Sequence, residues 1–138
     1  MPPEDARLDD VRAWMSMASL DLRAAAYELR APDEALWGDV MFHAQQAAEK
    51  AMKAFLAWHD LPFRKTHNLE ELGHACVAVD STLREVIDEA VPLTEFAWRF
   101  RYPGEPLEPL PEEAQAAFDV ARAVCDAMLS RLPERPVG

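Results

Sequence analysis

Residues 42–60, "FHAQQAAEKAMKAFLAWHD", contain neither glycine nor proline and carry apolar side chains at three- and four-residue steps. With 3.6 residues per helical turn, Met41, Ala44, Ala48, Ala51, Phe55 and Trp58 share one face. Phe42, Gln46, Glu49 and Lys53 form an adjacent stripe, and His43, Ala47, Lys50, Ala54 and Ala57 a third. The many alanines let other backbones come close, which predicts a central helix whose polar groups lie near packed surface. Glu49 and Lys53 form an i,i+4 pair, but such a pair is worth only ~0.2–0.5 kcal/mol, a poor reason for a polar stripe. Two readings follow: an ordinary solvated face, or the wall of a groove or subunit contact in which polar groups must find partners.

Outward from this helix, the chain reads as helical almost throughout, and no stretch alternates as a strand would. Val11, Trp14, Ala18, Leu22, Ala25 and Leu29 predict a first helix from about Asp10 to Arg30. "APD" breaks it, and Asp33 is a suitable N-cap for the second, which runs to about Trp58 over roughly 35 Å. After the loop "DLPFRKTH", Asn68 and Glu71 have capping-box spacing ahead of a short third helix. Asp80, Ser81 or Thr82 caps a fourth, which Pro92 must kink or divide. "RYPGEPLEPLPEE" stays extended until Pro111 opens the last helix, with Glu112 and Glu113 at its positive end. The expectation is an all-α, up-and-down bundle of four main helices plus a short one. It occupies residues 10–132, with loose ends at 1–9 and 133–138.

At 138 residues, half of them hydrophobic, the chain is long enough for one domain with a real core. No apolar run nears the ~20 residues a bilayer crossing needs. The acidic start "MPPEDARLDD" is unlike a signal peptide, and Cys76 and Cys125 lack metal or redox spacing. A cytoplasmic protein with reduced core thiols is expected. The net charge of −11 argues against extended DNA binding, which needs dense Lys and Arg. Yet all three lysines, Lys50, Lys53 and Lys65, fall within sixteen positions together with Arg64, and His67 follows. Arg99 and Arg101 form a second basic pair. Cations concentrated at two places in an acidic chain suit a small anion site, or else simple pairing with Glu49, Asp60 and their neighbours.

Three segments, "FHAQQAAEKAMKAFL", "THNLEEL" and "RYP", closely resemble the HEPN domain family (higher eukaryotes and prokaryotes nucleotide-binding) in order and spacing, over roughly residues 10–132. The resemblance implies a helical bundle, usually homodimeric, often encoded beside a nucleotidyltransferase in toxin–antitoxin-like pairs. Some relatives cut RNA through an Arg-x4-6-His motif, and others are thought to bind nucleotides. Arg101 resembles the family's arginine, but no histidine follows it, and no other arginine here has one at that distance. The nuclease reading thereby loses its acid–base group. The reading that remains is a non-nuclease nucleotide- or RNA-binding homodimer. Lys50, Lys53, Arg64, Lys65, His67 and Arg101 are its candidate phosphate contacts, and Gln46, Glu49 and Tyr102 its polar or stacking groups. There is no GxxxxGK loop to mark a triphosphate cradle. Alternatives are a ribonuclease that uses Arg101, and a purely structural dimeric module whose aromatics (Trp37, Phe42, Trp58, Phe63, Phe96, Trp98) are interface anchors or simply core. His67, Glu71 and His74 hold only half of a di-iron pattern, so no metal and no cofactor are expected.

Overall fold

The alanine-rich stretch lies within α2 (Trp37–Trp58), which buries thirteen residues, from Val40 to Leu56. The computed structural model describes residues 3–31, 36–99 and 109–133. Its α-helices are α1 (Pro3–Leu29), α2, α3 (Leu69–Val79), α4 (Arg84–Ala90) and α5 (Pro111–Leu129). Among the described residues there is no strand. Alanines 44, 47, 48, 51 and 54 are fully buried, so α1, α3 and α5 can all pack closely on α2. Phe55, Met52, Leu56, Leu69, Leu72, Leu83 and Met128 fill the spaces between helices.

α1 starts seven residues before the position its apolar stripe predicts. Pro3 stands where a helix needs no N–H, and Asp5 adds negative charge to the first turn. The two long helices are antiparallel. Arg7 Nη1 donates to the Trp58 carbonyl (3.0 Å), Lys50 Nζ pairs with Asp21, and His43 Nδ1 lies 2.7 Å from Glu28. Arg7 also stacks over the Trp58 ring. α2 begins at Trp37 without a side-chain cap. The expected cap, Asp33, lies outside the described residues.

α2 ends in a Schellman turn. The Leu61 N–H bonds to the Leu56 carbonyl and the Asp60 N–H to the Ala57 carbonyl, with Asp60 in the left-handed region at φ 55°. The chain then runs back along α2. Phe63 reaches the level of Lys53, and the His67 carbonyl reaches Gln45. This return, about ten residues of mostly extended chain, brings the polar stripe a second wall.

Asn68 caps α3 by accepting from the Glu70 and Glu71 N–H groups. Glu71 does not close a capping box; its carboxylate grips Arg64 instead. Asp80 caps a 3₁₀ turn at Ser81–Leu83 ahead of α4, and the backbone tightens from α to 3₁₀ over Val91–Ala97, where Pro92 removes a donor. Arg131, past the end of α5, bonds Asp80 (2.8 Å) and Thr82 (2.9 Å), which fastens the last helix to this turn. Those contacts hold the Asp80 carboxyl down at about 2, the Thr82 hydroxyl bond contributing most. Trp37, Phe63 and Phe96 pack against the core, whereas Trp98 is half exposed. Both cysteines are buried free thiols, pushed up to about 12 by burial, and so unreactive at neutral pH.

Candidate functional site

The polar stripe of α2 is neither solvated nor empty-handed. The side chains of Glu49 and Lys53 are only 4% and 7% exposed, with Lys53 Nζ donating to Glu49 Oε2 at 2.9 Å. Gln45, fully buried, donates through Nε2 to Glu49 Oε1 (3.1 Å) and to the His67 carbonyl (3.1 Å). Gln46, half-buried one position on, donates to Gln45 Oε1 at 2.6 Å. His67 Nδ1 lies 2.8 Å from Glu49 Oε1. Each buried polar atom therefore has a partner, as the cost of desolvation demands.

Lys53 is enclosed further by rings. Its ammonium lies 5.2 Å from the centroid of Trp14 on α1 and 5.7 Å from that of Phe63 on the returning loop, and the two rings meet edge to face. A cation desolvated against aromatic faces and one carboxylate is held in place from three sides. The buried side of the cluster thus joins α1, α2 and the 59–68 loop.

His67 is the point at which this cluster reaches water, with its side chain 64% exposed. A carboxylate can only accept, so Glu49 fixes the Nδ1–H tautomer, and Nε2 has no partner among the described residues. In its neutral form the ring presents an Nε2 lone pair outward, a proton acceptor. Once protonated it presents an N–H donor with positive charge. Lys65 stands exposed two residues before it. Arg64 is exposed too, but its guanidinium is spread across both Glu71 oxygens at 2.7–2.9 Å. That bonding raises the Arg64 pKa and lowers that of Glu71.

Of the nine residues the sequence nominates, the fold unites Gln46, Glu49, Lys53 and His67. Lys50 belongs elsewhere: its bond to Asp21 cross-links α1 and α2 along a different face of the helix. Arg101 and Tyr102 lie outside the described residues. Gln45 is the member that stripe analysis passes over, although it stands four residues before Glu49, the spacing at which helical side chains meet. Trp14 was legible only as part of an apolar stripe, and Phe63 only as an interface anchor or core aromatic. Glu71 is committed to Arg64 and His67 to Glu49, and among the described residues no three metal-ligating groups converge.

The family model for the HEPN domain matches residues 11–132. No curated protein and no solved structure matches the chain.

Proposed function

The chain belongs to the HEPN domain family, and from that premise we propose that it is a non-nuclease, homodimeric binder of a nucleotide or an RNA end, working beside a nucleotidyltransferase partner in a toxin–antitoxin-like module. One observation carries the binding part: His67, exposed, is held at Nδ1 by a buried carboxylate that is itself fixed by Lys53 and Gln45. A preorganised imidazole loses little freedom on meeting a phosphate, and as imidazolium it makes a charge-assisted bond. Lys65 adds a nearby cation. Glu49 and Lys53 act in this reading as supports for His67, since neither side chain has room to touch a ligand. Arg101 and Tyr102 of the R-Y-P segment are proposed as further ligand contacts on the sequence resemblance alone. Nuclease activity is not proposed, because no arginine in the chain is followed by histidine at the required distance.

Calorimetric titration with ATP, GTP and a 5′-phosphorylated oligoribonucleotide tests the reading. His67→Ala should weaken binding about tenfold. No heat at millimolar ligand removes the proposal. RNA degradation by the purified protein, abolished by Arg101→Ala, would replace it with the ribonuclease reading.

A further inference from the structure

α1 exposes an apolar stripe that no other described part of the chain covers. Met17 is 44% exposed, Leu20 58% and Tyr27 81%, and Ala13 and Ala24 lie on the same side. The positions 10, 13, 17, 20, 24 and 27 alternate steps of three and four, the heptad spacing of a helix that packs lengthwise on another helix. The flank at 14, 21 and 28 is already occupied. Lys53 lies over the Trp14 ring, Lys50 pairs with Asp21, and His43 pairs with Glu28, all from α2. The other flank is open and slopes into a cavity of about 320 Å³, whose far wall is Leu129, Leu132 and Pro133.

We propose that this stripe is the seam for a second copy of the chain, α1 against α1 in antiparallel register. The proposal rests on the two-copy part of the function above and names the surface that joins the copies. Charge argues for the occupant, and the open flank for its direction. Acids stand at the start of the open flank (Asp9, with Asp10 on the stripe itself), and bases stand towards its end (Arg23 and Arg30). A two-fold axis between Ala18 and Ser19 layers Met17 on the partner's Leu20 and Ala13 on the partner's Ala24. Asp10 then meets the partner's Tyr27, whose hydroxyl can donate to it. Along the open flank the same register sets Asp9 opposite the partner's Arg30 and Ser16 opposite the partner's Arg23. Arg23 and Arg30 have no ion-pair partner among the described residues, and Asp9 has only a 3.9 Å contact with Arg12. A parallel pairing would instead turn the open flank onto the partner's 14, 21 and 28, whose side chains are already taken up by α2. The surface is thus complementary to itself under two-fold rotation, as an isologous interface requires.

Light scattering and sedimentation velocity on the full chain test this. The wild type is expected at twice 15.5 kDa. Leu20→Glu should raise the dimer dissociation constant about thirtyfold or more with unchanged helical circular dichroism, because Leu20 is exposed in the single chain. Asp9→Arg and Arg30→Asp should each weaken the dimer by about two- to fivefold, and together restore it. A dimer indifferent to Leu20→Glu and to Met17→Glu overturns the seam and leaves the two-copy reading standing. A wild type that stays monomeric at high micromolar concentration overturns both. Dissociation by Leu20→Glu without rescue by the charge exchange overturns the antiparallel register.

Discussion

Glu49 ties three side chains of the buried cluster together. It accepts from Gln45, Lys53 and His67, so its removal strands a buried ammonium as well as freeing the imidazole. Breaking a buried ion pair from one side costs about 3–5 kcal/mol, and we expect Glu49→Ala to lose that much in urea unfolding. Lys53→Met on the Glu49→Leu background should recover most of it, because an apolar pair needs no solvation. Ligand binding should not recover with it, since His67 would still lack its anchor. A double variant that regained stability and binding together would separate Glu49 from the site. The sequence showed the partners in this pair but not their burial: Glu49–Lys53 spacing is the same on a wet face and a dry one. What distinguishes them is the return of residues 59–68, which places Phe63 over Lys53.

At the level of elements, two joints are open to measurement. In α3, a Cβ at Gly73 would overlap Ile87 Cγ2 of α4. Alanine gains about 1 kcal/mol of helix propensity there, but overpacking costs about 1–3 kcal/mol. Gly73→Ala should therefore lower the melting temperature, and less so when combined with Ile87→Leu, which lacks that branch. The second joint is the clamp of Arg131 and Thr82 on Asp80. Folding lowers this carboxyl from its ordinary 3.8 to about 2, so its contribution is fully present above pH 4 and vanishes as pH falls to 2. Asp80→Asn should lower the melting temperature at pH 7 and flatten its decline between pH 4 and 2. Helix existence and order were readable from spacing and from Asn68, Pro92 and Pro111, because those signals act locally. The start of α1 was not readable, since acidic residues at 5, 9 and 10 resemble a solvated tail until the helix dipole is considered.

Across the whole molecule, the periodicity of 42–60 was enough to place α2 at the centre, and the all-α bundle follows from it. Of the candidate cluster, Glu49, Lys53 and His67 were named from the sequence and Gln45 was not, while Lys50 pairs with Asp21 on another face of α2. No described helix is long and apolar enough to cross a membrane. The doubling back of the chain after Asp60 bears also on how the molecule assembles. Gln45 meets His67 across only 22 residues, whereas the Cys125 thiol reaches the Ala47 carbonyl across 78. Closing the shorter loop costs less entropy, so α2 and the returning segment are expected to join in the folding nucleus and α5 to dock afterwards. Stopped-flow chevrons should then show Phe63→Leu slowing refolding and Val124→Ala chiefly hastening unfolding. Nascent chains that have not yet received their last helix would already hold the imidazole in place.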